Sequence, residues 1–302
     1  MACQHLNIEP QGAVDWVTLN RPEQLNTLNP QLLRELNDYF VSLERNYAVR
    51  VVVLRGAGRA FCAGLDMKAE GGTPLDAGSD ALLRSQREFS GLVMRMRRCP
   101  QPIIGLLHGH AAGGGFSIAL GCDVRIAAAG TKMNCAFIKI GLSGCEMGAS
   151  YHLPRLVGTS VAAELLYTGR FIDAERALRV GLVSDVVPAD QLEAAGRALA
   201  EDMIATAPLG LRLTKECFWA AVDGNDLASV VAMEDRNQVL TVANGDLAAG
   251  IQAFLQKRRP VYASWNTGVR VPSRAGTASI CSGAPISARA WPADSAPCCT
   301  SA

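Results

Sequence analysis

The first half of the chain alternates apolar, strand-like segments with segments of helical period. Four strands are predicted, at AVDWVTL (13–19), RVVVLRG (50–56), PIIGLLHG (102–109) and DVRIAAAG (123–130). NPQLLRELNDYFVSLER, which follows the first strand, repeats apolar residues at helical spacing, at Leu33, Leu36, Phe40 and Leu43. Because parallel strands need a crossover helix or a long connection, this alternation predicts an α/β fold with mostly parallel pairing.

The second half has helical periodicity and helix-end signals instead. Helices are predicted at SVAAELLYTG, DAERALRVG, LEAAGRALAEDMIA, LRLTKECFWAAVD, LASVVAMEDRNQVLTV and DLAAGIQAFLQKRR. In DAERALRVG, Asp173 is expected to cap the helix and Gly181 to end it. Apolar faces left over on such helices favour an oligomer over a monomer.

Composition narrows the class of protein. The 302 residues carry a formal net charge of +1, and 19% of them are charged. This balance gives no reason to expect a nucleic acid or an anionic membrane as partner. No apolar run reaches the roughly 18 residues that span a bilayer, and the start of the chain lacks a basic leader before an apolar block. We therefore expect a cytoplasmic protein.

The ten cysteines are not spaced as a disulfide framework. Most of them are scattered among apolar or small residues, where a free cysteine behaves as a small hydrophobe. The chain has no CxxC pair and only four histidines, which disfavours a zinc site. After Trp265 the composition changes to Ser, Ala, Gly, Pro and Arg, and we expect a disordered or linker-like tail at 266–302.

Two glycine-containing turns follow two of the predicted strands. They are GRAFCAGLDM (58–67) and HAAGGGFS (110–117). Backbone N–H groups at the start of a helix have no helical partner and can bind an anion or a developing oxyanion. Alternatively, the glycines only allow close packing of backbone segments. The pattern alone leaves both interpretations open.

These turns carry a family resemblance. FCAGLDM (61–67) and GHAAGGGFSIALGCDVRIAA (109–128) resemble the crotonase family, also called the enoyl-CoA hydratase/isomerase superfamily. Further similar segments occur in family order, at NRPEQLNTL (20–28), IGLSGCEMGASYHLPRLVG (140–158), LLYTGRFIDAERALRVGLVSDVVP (165–188) and AFLQKRRPVY (253–262). The resemblance covers roughly residues 5 to 262.

The resemblance implies a fold and an assembly. A crotonase-like α/β spiral of repeated β-β-α units is expected at 1–195 and would contain the acyl-CoA site. A helical trimerisation region is expected at 196–265, ahead of the tail at 266–302. Family members assemble as trimers or hexamers, so a homotrimer or hexamer is expected here.

The resemblance also implies a site. The backbone N–H groups of Leu65 and Gly114 would form an oxyanion hole for the thioester carbonyl of an acyl-CoA. Coenzyme A would enter only as part of the substrate, and no other cofactor or metal is implied. The remaining residues expected at the substrate are Arg21, Glu23, Leu25, Ala63, Gly64, Asp66, Ser117, Phe137 and Lys257.

The acids depart from the pattern of typical hydratases. Ser117 and Phe137 stand where those enzymes have two glutamates. Glu146 matches the place where dienoyl-CoA isomerases and an aroyl-CoA dehalogenase carry an aspartate, so it is the expected acid/base. The alternative is that Glu146 only caps the following helix. Glu70 and Glu88 lie in a polar segment (68–90) expected over the acyl pocket.

Three classes of function remain open. The first is an enoyl-CoA hydratase/isomerase enzyme that works through an enolate, with Glu146 moving the proton. A single acid fits migration of the double bond at least as well as hydration. The others are hydrolase- or dehalogenase-like chemistry, and a non-catalytic relative that binds acyl-CoA.

Overall fold

The computed structural model describes residues 3–69, 71, 74 and 76–262. The predicted tail at 266–302 lies outside these residues, as does Glu70.

The strands form two sheets. In the described part of the chain the larger sheet has the order β1-β2-β3-β4-β6-β9 and the smaller has the order β5-β7-β8. Pairing is antiparallel for β1 with β2 and for β7 with β8, and parallel elsewhere. The strands are β1 (Leu6–Gln11), β2 (Val14–Leu19), β3 (Val51–Gly56), β4 (Ile103–Leu107), β5 (His110–Ala112), β6 (Val124–Ala128), β7 (Lys132–Asn134), β8 (Ile172–Asp173) and β9 (Asp185–Val187).

Helices cover the larger sheet and fill the second half of the described chain. They are α1 (Pro30–Leu43), α2 (Ser79–Arg98), α3 (Gly114–Gly121), α4 (Ala149–Thr168), α5 (Ala174–Arg179), α6 (Leu192–Ile204), α7 (Pro208–Val222), α8 (Leu227–Ala243) and α9 (Asp246–Leu255). None of the described helices combines the length and the apolar character needed to cross a membrane.

The larger sheet is buried on both faces. In β3, Val52 and Leu54 belong to the core cluster that contains the buried side chains of α1, α2 and α3. Val51 and Val53 point the other way, into the cluster that contains residues of α6. A strand covered on both faces needs apolar side chains at successive positions, which is why this segment reads as a continuous apolar run.

The structure confirms the α/β class and most of the predicted elements. Asp173 caps α5 as expected, because its carboxylate accepts a hydrogen bond of 2.7 Å from the Arg176 N–H. The strand β5 lies within a segment predicted as a turn. With three residues paired to β7, it is too short to show an alternating pattern.

Two helices differ from the prediction. α4 begins well before SVAAELLYTG, at Ala149, and bends at Gly158, whose φ of 75° is not helical. Pro154 and this glycine lie inside the helix, and such residues normally signal a boundary. In the segment 68–90, the part from Ser79 onward belongs to α2, so much of that polar segment is helical.

Candidate active site

The two glycine turns lie side by side. The Cys62 N–H donates to the His110 carbonyl over 3.1 Å, and the Ala112 N–H donates to the Cys62 carbonyl over 3.0 Å. Upstream, the Phe61 N–H donates to the His108 carbonyl over 2.9 Å. These bonds fix residues 61–66 against the segment that enters α3.

The glycines are needed for both conformation and closeness. Gly64 and Gly113 have φ values of 100° and 52°, in the region that favours glycine. A Cβ on Gly64 would lie 2.8 Å from the Ala112 carbonyl oxygen. A Cβ on Gly115 would lie 2.2 Å from the Cys62 carbonyl oxygen. The packing interpretation of the glycines therefore holds for these positions.

The N–H groups of Leu65 and Gly114 have no acceptor among the described residues. The Leu28 N–H donates to the Gly64 carbonyl over 2.7 Å, and the Asp66 N–H donates to the Leu28 carbonyl over 3.0 Å. This leaves Leu65, between them, with no acceptor among the described residues. Gly114 is the first residue of α3, so its N–H has no helical partner. Close packing and free amides thus occur together.

Both residues line one cavity of about 160 Å³. Of the described side chains in its lining, Glu146 supplies the carboxylate and Gln86 the one other polar group. We call residues 62–66 and 113–115 the amide wall, and Gln86 with Glu146 the carboxylate wall. The remaining lining residues are Leu28, Met67, Phe89, Ala136, Phe137, Ile140, Leu142 and Met147.

Glu146 is anchored through its backbone and oriented through its side chain. Its carbonyl accepts hydrogen bonds from the Ser117 hydroxyl at 3.2 Å and from the Ala149 N–H at 2.9 Å. Its carboxylate accepts a bond of 3.0 Å from the Gln86 amide. Ala149 is the first residue of α4, so the Glu146 carbonyl binds the first N–H of that helix. Among the described residues, no N–H of α4 donates to the Glu146 carboxylate.

Phe137 and Ser117 differ in their position relative to the cavity. Phe137 is buried and lines the cavity. Its position beside an acyl group stays a prediction. Ser117 is fully buried on α3 and lies outside the cavity lining. Its hydroxyl donates to the Glu146 carbonyl and so supports the backbone that carries the carboxylate.

Arg21 and Asp66 tie the segment after β2 to the amide wall. Their side chains form an ion pair of 2.8 Å, and both are largely buried. Partial burial alone would raise the pKa of the Asp66 carboxyl, but the Arg21 guanidinium and the Lys68 N–H hold that pKa below its usual value. Asp66 is thus held as a charged carboxylate and is unsuited to accept a proton.

The other predicted substrate-binding residues have different surroundings. Leu25 is joined to the amide wall, because its carbonyl accepts a bond of 3.0 Å from the Ala63 N–H. Glu23 is exposed on a short 3₁₀ helix. Lys257 is exposed beyond the end of α9 and does not line the cavity.

Glu88 and His108 lie outside the cavity lining. Glu88 is exposed on α2 and is not in the cavity lining. The His108 ring makes a bond of 3.1 Å with the Gly58 carbonyl, and burial lowers the pKa of this histidine. Within the described chain, no group of three or more His, Cys, Asp or Glu side chains is placed to hold a metal ion.

Sequence reasoning missed Gln86. It stands three residues before Phe89, which also lines the cavity, and seven before the buried Val93. These spacings put the three side chains on one helical face. The signal available in the sequence was a polar residue in line with apolar residues at helical spacing.

Comparisons with known proteins identify the family of the chain. A model of the enoyl-CoA hydratase/isomerase family matches residues 9–265. The chain is 37% identical over 260 residues to the "Probable enoyl-CoA hydratase EchA12" of Mycobacterium tuberculosis, which covers 84% of this chain and 90% of that protein. It is 35% identical over 246 residues to the 1,2-epoxyphenylacetyl-CoA isomerase of Escherichia coli, over 82% of this chain and 93% of that protein.

A solved structure shows the same fold. The crystal structure of enoyl-CoA hydratase from Bacillus anthracis superposes with a TM-score of 0.80 at 33% identity, covering 86% of this chain and 99% of that one. The crotonase-like fold expected from the sequence is thereby confirmed. The chain belongs to the enoyl-CoA hydratase/isomerase family.

Proposed function

We propose that this enzyme of the enoyl-CoA hydratase/isomerase class moves a proton on an enoyl-CoA thioester, with Glu146 as the acid/base. The N–H groups of Leu65 and Gly114 hold the thioester oxygen as it becomes an enolate. The observation that carries the proposal is that one cavity is lined by the Glu146 carboxylate and by both of these residues, whose N–H groups have no described acceptor.

The chemistry follows from this arrangement. In isomerisation of a 3-enoyl thioester, the Glu146 carboxylate takes a proton from C2, and the electron pair moves onto the thioester oxygen. Two amide donors stabilise that oxyanion. The proton then returns to C4, the double bond moves to C2–C3, and the carboxylate is regenerated.

Hydration is the second candidate, because a close relative carries that name. Glu146 would take a proton from water as the oxygen adds to C3, and would then deliver the proton to C2. One carboxylate must then serve both steps. The described cavity lining holds a single carboxylate, which favours migration of the double bond over hydration.

The coenzyme A portion is assigned to the rim of the site. We place it along residues 21–25 and 63–66, where the Arg21–Asp66 ion pair keeps the two segments together. In this proposal Arg21 and Asp66 shape the surface, since their charges are already paired. The exposed Lys257 ammonium is the proposed phosphate contact, from its own or a neighbouring subunit.

Assembly as a homotrimer or hexamer is proposed from the C-terminal helices. A cavity of about 970 Å³ is lined by residues of α7, α8 and α9. Exposed apolar side chains at its edge include Leu247, Ile251 and Phe254, the last with 82% of its surface exposed. Apolar groups exposed in this number on one region mark a protein interface.

The proposed compartment is the cytoplasm, and no cofactor beyond the substrate's coenzyme A is proposed. Free, buried cysteines such as Cys62, Cys99 and Cys122 are typical of a reducing compartment. The proposed proton transfer needs only a carboxylate and amide donors.

Three assays on the purified protein test the proposal. Absorbance of the conjugated enoyl thioester rises with a 3-enoyl-CoA if the enzyme isomerises, and falls with crotonyl-CoA if it hydrates. Release of free thiol reports hydrolysis. We expect Glu146→Gln to lower kcat by about 10³-fold in the active assay, because general acid–base catalysis contributes that order of rate. The control is Glu88→Gln, on the exposed surface of α2.

Each result has one meaning. Wild-type turnover in Glu146→Gln would remove this residue from the mechanism. Thiol release as the main activity would favour a hydrolase. Silence in all three assays with retained binding of acyl-CoA would favour the non-catalytic relative.

A further inference from the structure

We propose that Gln86 is a positioning residue for the reaction, which holds the Glu146 carboxylate aimed into the cavity. This inference rests on the proposed function, because it requires Glu146 to be the group that transfers the proton. Gln86 lies on α2 and Glu146 on the segment before α4, so the contact joins two parts of the chain 60 residues apart.

The contact is a single, well-formed hydrogen bond. The Gln86 Nε2 donates to the Glu146 Oε1 over 3.0 Å, within the usual range for an amide and an oxygen acceptor. Among the described residues, Gln86 is the one side chain that hydrogen-bonds this carboxylate. The freedom of the Glu146 side chain is therefore limited at one point only.

The backbone of Glu146 is held more firmly than its side chain. The Glu146 backbone is held by Ser117 and is followed by Met147, whose φ of 45° is unusual for a residue with a side chain. Its side chain, by contrast, is only partly buried. Without a partner, a glutamate side chain in that position would sample several rotamers.

The helix that carries Gln86 is anchored in the core. Phe89 lines the cavity one turn further along, and Val93 is buried on the same face. At Val93 this face also approaches the segment that follows Glu146, because a Cβ on Gly148 would lie 3.6 Å from the Val93 Cγ1. The core packing of α2 therefore fixes the Gln86 backbone relative to the backbone of the segment that carries Glu146.

An amide suits this task better than a cation would. A guanidinium or ammonium next to a carboxylate stabilises its charged form and makes it a weaker base. Asp66, held by Arg21, is the example within this molecule. A neutral amide donor orients a carboxylate without placing a positive charge beside it, which leaves Glu146 able to take a proton from carbon.

The test is a double-mutant cycle on the active assay. Gln86→Met keeps the length of the side chain and removes the donor. We expect kcat to fall about 10-fold, the equivalent of one hydrogen bond of ordinary strength to a charged group, with KM within about twofold of wild type. Gln86→Glu places two carboxylates within contact, and we expect a larger loss of kcat.

The double-mutant cycle distinguishes a positioning role of Gln86 from a role in folding. In a Glu146→Gln background, we expect Gln86→Met to change kcat less than about twofold, because the group it positions is already disabled. Gln86→Asn, which keeps the amide on a shorter stem, should recover part of the lost kcat. Glu88→Gln, on the same helix and outside the cavity lining, should match wild type.

The outcomes distinguish the two proposals. If Glu146→Gln abolishes turnover and Gln86→Met has the kcat of wild type, the positioning role is wrong and the proposed function stands. If the effects of Gln86→Met and Glu146→Gln simply multiply, the positioning role is also wrong. If Glu146→Gln keeps wild-type turnover, the proposed function fails and this inference fails with it.

Discussion

The two walls of the cavity are built in different ways. The amide wall is made of backbone, fixed by hydrogen bonds between the two glycine turns and by close packing at Gly64 and Gly115, where a Cβ would lie within 2.8 Å of a carbonyl oxygen. The carboxylate wall is made of two side chains that meet through one hydrogen bond. The first wall can change only if the fold changes. The second can change with a single substitution, which suits a family in which the activation of one thioester serves several reactions.

The largest expected effect comes from adding a methyl group to the amide wall at Gly115. A Cβ there would lie 2.2 Å from the Cys62 carbonyl oxygen and 2.7 Å from the Cys62 Cβ, which is fully buried. We expect Gly115→Ala to destabilise the fold by about 3 kcal/mol, measured by urea denaturation, because neither neighbour can move away.

Gly91→Ala is the matched control for that substitution. The atom nearest to its added Cβ is Nη1 at the flexible end of the Arg95 side chain, 2.6 Å away. Gly91 lies within α2, where alanine is preferred over glycine by about 1 kcal/mol. Equal stability losses at Gly115 and Gly91 would contradict the view that the amide wall is held by close packing.

A smaller effect is expected at Gly114, which lines the cavity and whose N–H is proposed to hold the thioester oxygen. A Cβ there would lie 2.9 Å from the Leu28 Cδ1, and Leu28 also lines the cavity. We expect Gly114→Ala to fold and to lose about 100-fold in kcat/KM, the cost of displacing a substrate by about 1 Å. Thermal denaturation checks the fold, and kcat/KM near the wild-type value would show that the thioester does not approach this residue.

Ser117 connects α3, which begins at the amide wall, to the backbone of Glu146 in the carboxylate wall. Removing its hydroxyl tests whether that connection matters for activity. Its buried hydroxyl donates to the Glu146 carbonyl over 3.2 Å. We expect Ser117→Ala to cost about 1 kcal/mol of stability, the net value of one hydrogen bond, and to lower kcat a few-fold. Urea denaturation and steady-state kinetics measure these effects. A loss of stability with unchanged kcat would mean that the backbone of Glu146 does not need this support.

The smallest effect concerns the ion pair between Asp66 of the amide wall and Arg21. Because the folded-state pKa of Asp66 is below its usual value, its charge stabilises the fold above the unfolded pKa of about 3.9 and this contribution is lost as pH falls through the folded pKa. We expect Asp66→Asn to be about 1 kcal/mol less stable than wild type at pH 7.

The same argument gives the pH dependence of the difference. The stabilities of wild type and Asp66→Asn, measured by denaturation over a pH series, should converge in acid below about pH 3.9. A difference that stays constant down to acid pH would exclude the Arg21–Asp66 ion pair as its cause.

The two walls were also predictable from the sequence to different degrees. The amide wall depends on glycines at fixed places in short segments, so AGLD and GGG identified Leu65 and Gly114 as neighbours through the family resemblance. Ser117 was expected at the substrate because it replaces an acid. The structure instead turns its hydroxyl to the Glu146 carbonyl, a contact that depends on tertiary packing.

Gln86 shows why the carboxylate wall was only half predicted. Gln86 is in line with Phe89 and Val93 at helical spacing, but its partner lies 60 residues away in the sequence. The contact arises because α2 packs its Val93 face into the core beside the segment that follows Glu146. Side-chain pairs of this kind depend on how helices pack, whereas backbone turns depend on local residue types.

A crystal structure with a bound, slowly reacting acyl-CoA tests the central claim most directly. The account predicts that the thioester oxygen lies about 3 Å from the backbone nitrogens of both Leu65 and Gly114, with the Glu146 carboxylate facing the carbon next to the thioester. A thioester oxygen held elsewhere, with those two N–H groups bonded to carbonyls of the protein, would contradict it.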